Sequence, residues 1–205
     1  TGANANWLGL PNEERLAQSG GGVSACAVCD GALPHFRDQV LAVIGGGDTA
    51  MEDALYLTKF AREVVVVHRR DELRASKIMA ERALANEKIE PVWNTELTAY
   101  HPGDDGKMQS VSMRNRVTGE EGSLEVKGVF IAIGHIPNSG FLNGLADLDE
   151  NGYIVQLAGK TATKTPGLYA AGDVADHYYR QAITAAGQGC PAALEAERYL
   201  ADQED

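Results

Sequence analysis

The chain is poor in cysteine: three occur in 205 residues, Cys26, Cys29 and Cys190. So few, and an odd number, exclude a framework of paired structural disulfides. In an acidic chain with no secretion signal, the close pair Cys26 and Cys29 reads as catalytic or metal-binding. Cations are also scarce, with 18 Lys and Arg against 29 Asp and Glu. The formal net charge of −11 argues against nucleic acid or an anionic membrane as the main partner. No stretch approaches ~18 consecutive apolar residues, so no membrane span is expected. The first residues, Thr1-Gly2-Ala3-Asn4, have neither a basic segment nor an apolar signal core, and a cytoplasmic protein is expected. They lack an initiator Met, as expected of a sequence that begins inside a longer protein. Internal repeats and low-complexity tracts are missing as well.

What is present has the composition of a globular α/β protein, 44% hydrophobic with 23 glycines. The length suits one large domain or two small ones, at roughly 100–200 residues each. Residues 1–22 read as a loop entering a domain, and 23–30 carry the cysteine pair up to the turn signal Asp30-Gly31. The run 39–44 is almost continuously apolar, the pattern of a strand buried on both faces. Three glycines break it, and a helix follows over 48–60 with Asp48 as its N-cap. Residues 64–67 predict a second β-branched strand, ending at His68-Arg69-Arg70. A helix is expected over 75–86 and a strand over 89–93. Residues 108–117 and 123–133 predict a hairpin around a loop at 118–122. The boundary between domains is expected at 134–138, where an apolar strand ends ahead of Pro137. Beyond it, 152–156 and 167–173 read as strands, the latter stopping at a tight glycine turn. The Ala-rich stretch 181–200 reads as a helix in which Pro191 breaks or starts a turn, with Cys190 near a helix start. Most lone cysteines are small buried hydrophobes, so Cys190 is given no catalytic role.

Gly45 and Gly47, with Ala50 three residues on, follow a strand and open a helix, the Gly-x-Gly-x-x-Gly/Ala arrangement of a dinucleotide site. Gly45 permits the tight turn, Gly47 lets the backbone approach a pyrophosphate, and Ala50 allows close packing of helix on strand. Free N–H groups at the helix start then suit phosphate. NAD sites place an acidic residue near the end of the second strand. Here that place holds His68, Arg69 and Arg70, with Arg74 beyond, so NADPH is expected over NADH. The competing reading is a solvated basic segment in which Arg69 and Arg70 merely pair with Asp71 and Glu72.

Cys26-Ala27-Val28-Cys29 is a spacing that lets two thiols form a reducible disulfide. Exchange proceeds by thiolate attack, so a nearby proton carrier matters, and Asp30 follows directly. Half of a zinc site is the rival; it would need two further ligands, and the chain offers only Cys190 and five scattered histidines. Two buried unreactive thiols are the third reading, which leaves Asp30 unexplained. No metal ligand set is assigned.

These residues resemble a family. The strings SACAVCDG (24–31), GGGDTAMEDALYL (45–57), HRRDELRASK (68–77), AIGHIPN (132–138) and AAGDVADHYYRQAITAAGQGC (170–190) are similar to those of low-molecular-weight NADPH-dependent thioredoxin reductases, in order along nearly the whole chain. The resemblance implies two Rossmann-like domains. Residues 9–133 would be the NADPH domain with the redox dithiol, 1–8 the end of a segment of the FAD domain, and 134–205 its C-terminal part. It implies a flavoprotein that passes electrons from NADPH to FAD, then to the disulfide and then to thioredoxin, by rotation of one domain against the other. It also implies a homodimer.

By position, Cys29 resembles the cysteine nearest the flavin, Cys26 its partner and Asp30 the acid/base. The NADPH set is Gly45, Gly46, Gly47, Asp48, Thr49, Ala50, His68, Arg69, Arg70 and Arg74, with Ile133 and Tyr153 as further contacts. Gly172 and Asp173 match the FAD ribityl or phosphate region, and Arg180, Gln181, Ala182 and Ile183 the segment along the isoalloxazine. The family's own FAD glycine fingerprint, expected upstream of the dithiol, is not in the sequence. Two alternatives therefore stand beside the reductase: an enzyme serving another disulfide protein such as a peroxiredoxin system, and a non-catalytic NADP(H)-binding module.

Overall fold

Val40–Ile44 is a strand covered on both faces, and the architecture is built around it. In the computed structural model, which describes residues 1–203, the elements in chain order are β1 (Ala3–Ala5), α1 (Glu13–Gln18), β2 (Val23–Ser24), α2 (Ala27–Asp30), β3 (Val40–Ile44), α3 (Asp48–Leu57), β4 (Glu63–Val67), α4 (Lys77–Leu84), β5 (Ile89–Val92), β6 (Thr95–Pro102), β7 (Met108–Asn115), β8 (Glu121–Glu125), β9 (Gly128–Ile131), β10 (His135–Pro137) and α5 (Ala182–Ala201). The chain forms two compact units, Asn6–Gly134 and Thr1–Ala5 with His135–Asp205. Residues 204 and 205, the end of the segment 134–205, lie outside the described residues.

In the unit Asn6–Gly134, five parallel strands run in the order β2-β9-β3-β4-β5. Alternate side chains of each central strand enter different cores. Leu41, Val43, Val64 and Val66 pack with Phe36, Met51 and Leu57 on the helical face. Ala42, Ile44, Val65 and Val67 pack with Leu97, Tyr100, Met108 and Val111 of the antiparallel sheet β6-β7-β8. A strand sandwiched in this way needs apolar residues at every position, hence the unbroken runs. Phe130 of β9 is fully buried and meets Phe36 edge-on at 5.4 Å; truncating it to Ala would cost about 3–5 kcal/mol. The buried carboxylate of Glu13 is satisfied by the Gly9 and Leu8 amides at 2.7 and 3.2 Å and by the Tyr100 hydroxyl at 2.6 Å. Burial, with Glu13 beside it, pushes the Tyr100 phenol well up.

In the other unit, β1 pairs antiparallel with β10. A small core gathers Leu142, Ala146, Ile154, Ala170 and Val174. Helix α5 buries none of its residues. It is fastened by Glu195, whose Oε2 accepts from the Thr161 amide at 3.1 Å, the Thr161 hydroxyl at 2.9 Å and the Ala162 amide at 3.1 Å. No helix among the described residues is long and apolar enough to cross a membrane.

Several sequence expectations change. Residues 1–22 are not simply loop, since β1 and α1 lie there. The stretch 123–133 is not one strand: β8 pairs with β7, and β9 enters the parallel sheet. Asp48 is the first residue of α3 and Gly47 occupies the cap; the Asp48 carboxylate instead accepts from the Ser76 amide and hydroxyl, both at 2.8 Å. Residues 152–156 and 167–173 contribute only the isolated bridges Leu148↔Ile154 and Ala162↔Tyr169. Helix α5 runs through Pro191, so Cys190 lies in mid-helix, exposed rather than buried.

Candidate functional site

Three strand ends converge at the C-terminal edge of the parallel sheet. In strand order they deliver Ala132 to Gly134 after β9, Gly45 to Gly47 after β3, and His68 to Arg70 after β4. Open α/β sheets bind ligands at this edge, where neighbouring connections leave in opposite directions. A groove of about 800 Å³ lies there, lined at its centre by Gly45, Gly46, Gly47, Asp48 and Thr49. One end holds Trp7, Ile133 and Gly134, and the other His68, Arg69, Arg70, Arg74 and Arg116.

The glycine turn is sterically required. Gly45 has φ +151°, and a Cβ there would collide with the Ala132 carbonyl oxygen and crowd Ala50. Ala50 is fully buried beneath the turn. A Cβ on Gly46 would strike the His68 ring. Gly47 has open space on that side, so its backbone faces the groove. The loop after β4 is tied to this turn, because the Arg74 and Ala75 amides both donate to the Gly46 carbonyl, at 2.7 and 3.0 Å. Arg69, Arg70 and Arg74 are exposed and, among the described residues, form no ion pair. The pairing of Arg69 and Arg70 with Asp71 and Glu72 is therefore not found. His68 differs from them: it is buried, and its Nε2 has no partner among the described residues. Burial lowers its pKa, and Arg70, Arg69 and Arg74 lower it further, against a hydrogen bond that the ring donates to the Glu72 backbone, which raises it. It supports the turn as a neutral ring.

Cys26 and Cys29 are joined as a disulfide at the start of α2, with Cys29 exposed and Cys26 half-buried. Cys26 caps the helix: its sulfur accepts from the Cys29 amide at 3.2 Å. The Asp30 carboxylate accepts from the Ser24 hydroxyl at 2.6 Å. Among the described residues no group of three His, Cys, Asp or Glu side chains could hold a metal.

In the unit containing His135–Asp205, Gly172 has φ +76° and packs against Ala185 of α5, and its amide donates to the Gln188 side chain at 2.8 Å. Asp173 Oδ1 and His135 Nδ1 are buried without a hydrogen-bond partner among the described residues. Burial lowers the His135 pKa, Arg180 lowers it further, and Asp173 acts in the opposite sense. Asp176 organises the turn into α5. Its Oδ1 accepts from the Tyr178 and Tyr179 amides at 3.0 and 2.9 Å, and its Oδ2 from the Arg180 amide and Thr184 hydroxyl, both at 3.2 Å. Burial alone would raise the Asp176 pKa; these donors outweigh it and hold it below the ordinary value. Arg180 sits at φ +49°, and Gln181 forms the N-cap of α5 ahead of Ala182 and the largely exposed Ile183. Tyr153 is buried in this unit, edge-on to His177 at 5.8 Å.

Sequence reasoning missed Ser24, Trp7, Arg116, Asp176 and Gln188. Asp176 was discoverable, since Asp in a polar loop before a helix commonly accepts from the following amides. Trp7 and Arg116 reach the groove through long-range pairing alone. The Asn6 amide bonds the Gly134 carbonyl at 2.9 Å, and the Arg116 amide the Asn94 carbonyl at 2.6 Å.

Comparison with known proteins agrees with this geometry. A family model described as pyridine nucleotide-disulphide oxidoreductase matches residues 1–189. A thioredoxin reductase of Mycolicibacterium smegmatis is 55% identical over 203 residues, covering 99% of this chain and 63% of the relative. One from Chlamydia trachomatis is 52% identical over 200 residues, covering 98% and 64%. The crystal structure of thioredoxin reductase from Streptococcus pyogenes superposes with a TM-score of 0.89 at 44% identity, over 98% of this chain and 64% of that one. The chain thus spans a little under two thirds of the length of these relatives. With its α/β fold, glycine turn and Cys-x-x-Cys disulfide, it belongs to the pyridine nucleotide-disulphide oxidoreductase family.

Proposed function

We propose that this chain is part of an NADPH-dependent thioredoxin reductase. In this reading the unit Asn6–Gly134, which contains the expected domain 9–133, binds NADPH and carries the redox dithiol. The unit formed by 1–5 and 135–205 belongs to the FAD-binding domain. The observation that carries the reading is the presence, in one compact unit, of a Cys26–Cys29 disulfide and a glycine-turn groove flanked by three arginines that form no ion pair among the described residues.

The residues fit both cofactors. For the nucleotide, Gly47 leaves open space beside the N-terminus of α3, and Arg69, Arg70 and Arg74 supply free guanidinium groups suited to a 2′-phosphate. Ile133 and Trp7 would enclose the opposite end. For the flavin, Asp173 Oδ1 needs a donor, which a ribityl hydroxyl would supply, and His135 Nδ1 needs a polar partner of its own, since neither atom has one among the described residues. Gly172 packs against Ala185 of α5, the helix that Arg180 and Gln181 lead into. When bound, the two cofactors would supply hydride and a relay of electron pairs to the disulfide. The chain's own residues bind and orient them, and Asp30 moves a proton at the cysteine sulfurs.

The acceptor in this reading is thioredoxin, and the protein a cytoplasmic homodimer; the named relatives support the first. The test is steady-state turnover of the full-length protein with NADPH and thioredoxin. Cys26→Ser or Cys29→Ser should abolish turnover and leave flavin reduction by NADPH in place, since that earlier step uses neither sulfur. Normal turnover in both variants would refute the assignment.

A further inference from the structure

The hydroxyl of Ser24 joins the cysteine pair to Asp30. Ser24 ends the short strand β2, where it pairs with Phe130 of β9, and it is 7% exposed. Its Oγ accepts from the Cys26 amide at 3.0 Å and lies 2.6 Å from Asp30 Oδ2 and 3.3 Å from the Cys26 carbonyl oxygen. A hydroxyl has one proton to give. The shorter contact, in the range of a charge-assisted O–H···O⁻ bond, takes it, so Ser24 donates to Asp30. Among the described residues it is the only hydrogen-bond partner of that carboxylate.

We propose that Ser24 is a positioning residue for Asp30, holding the carboxylate in register with the dithiol. The inference rests on the disulfide-reductase reading above. Cys26 is fixed from both sides, by its amide on Ser24 Oγ and by its sulfur and carbonyl oxygen, which accept from the Cys29 and Asp30 amides, each at 3.2 Å. One buried oxygen therefore sets the position of the first cysteine and the direction of the acid/base together.

During reduction of an acceptor disulfide, Cys26 and Cys29 give up two electrons and two protons and re-form their own disulfide. The proton of the attacking thiol ends on the acceptor sulfur released as the mixed disulfide forms; Asp30 takes the other from the second thiol and passes it to the acceptor sulfur released as the Cys26–Cys29 disulfide closes. While Asp30 carries that proton it no longer needs the Ser24 donor. The hydroxyl then has a second acceptor within reach in the Cys26 carbonyl. It can thus follow the protonation state of Asp30 without rearranging the helix.

The experiment is a double-mutant cycle in the full-length protein with Ser24→Ala, Asp30→Asn and the double variant, alongside Ser24→Thr. Two rates are read: turnover with thioredoxin, and reduction of the Cys26–Cys29 disulfide by dithiothreitol, which needs neither nucleotide nor thioredoxin. Ser24→Ala should slow both by about tenfold, the scale of one hydrogen bond to a charged group. It should leave flavin reduction by NADPH unchanged, and it should add nothing once Asp30 is Asn. Ser24→Thr, which keeps the hydroxyl, should recover most of the rate. Losses that multiply in the double variant would assign Ser24 a structural role alone and overturn the proposal, as would full activity of Ser24→Ala. If thioredoxin is not reduced by the unmutated protein but the dithiothreitol cycle shows the coupling, the acceptor assignment fails and the Ser24 proposal stands.

Discussion

The Arg74 amide donates to the Gly46 carbonyl at 2.7 Å, so the loop bearing the arginines and the glycine turn are one assembly. Asp48 strengthens it from the first turn of α3 by accepting twice from Ser76. The loop bearing the arginines is therefore held in place against the glycine turn, while their guanidinium groups form no ion pair among the described residues.

Nucleotide choice follows from that arrangement. Arg69→Ala combined with Arg70→Ala should raise the Michaelis constant for NADPH at least tenfold, because a hydrogen bond to a charged group is worth about 1.5–3 kcal/mol. The constant for NADH should hardly change, since NADH has no 2′-phosphate for them to meet. Initial rates with the two nucleotides check this in the full-length protein. Calorimetric titration of the 205-residue chain with NADP⁺ and NAD⁺ checks it without flavin. Equal losses with both nucleotides would remove the arginines from the 2′-phosphate.

Much of this assembly was legible in the residues. The runs at 40–44 and 64–67 are apolar at every position because both faces of β3 and β4 are covered, and a covered strand has no polar side to show. The glycines mark a turn where a Cβ at Gly45 has no room. What stayed hidden depends on partners distant in sequence. β1 and β2 are three and two residues long, too short for a period, and they exist through pairing with β10 and β9. β8 and β9 adjoin in sequence yet one is an exposed edge and the other a buried centre, so composition alone merged them. Pro191 was expected to break or start a helical turn, at about 3 kcal/mol for a helix interior. The helix continues because Gln181 and Thr184 cap it and Glu195 anchors it to Thr161 and Ala162, contacts no local pattern displays.

The Asp176 cradle predicts a pH dependence with a definite sign. Its pKa in the folded protein lies below the ordinary value, so the unfolded chain binds the proton more readily. The stability it contributes is fully present above the ordinary carboxylate value of about 3.9 and is lost as pH falls through the lower folded value. His68 and His135 act in a higher window. Their lowered values mean that stability is lost as pH falls below the ordinary imidazole value of about 6.5. Asp176→Ala should lower stability by about 1–3 kcal/mol by leaving partly buried amides unpaired. Thermal melts from pH 7 to pH 3 should show the variant losing less of its remaining stability below pH 4 than the unmutated protein. Parallel curves would remove Asp176 from the acid transition.

Asp173 should behave in the opposite way to Asp176, although the two are three residues apart. Asp176 has four donors around its carboxylate, whereas Asp173 has a buried oxygen with none among the described residues. A buried polar atom without a partner destabilises the protein that contains it, so removing it should cost little or raise stability. If that oxygen is kept for a polar group of the flavin, the loss appears in binding instead. Asp173→Ala should leave the melting temperature of the flavin-free protein unchanged or higher. It should weaken FAD retention at least tenfold in the full-length protein, for want of a hydrogen bond worth about 1.5–3 kcal/mol when one partner is charged. The measurement pairs calorimetric melting of the flavin-free form with equilibrium dialysis against FAD, read by flavin absorbance. A variant that melts lower and binds FAD normally would make Asp173 a structural residue and leave its unpartnered oxygen without a role.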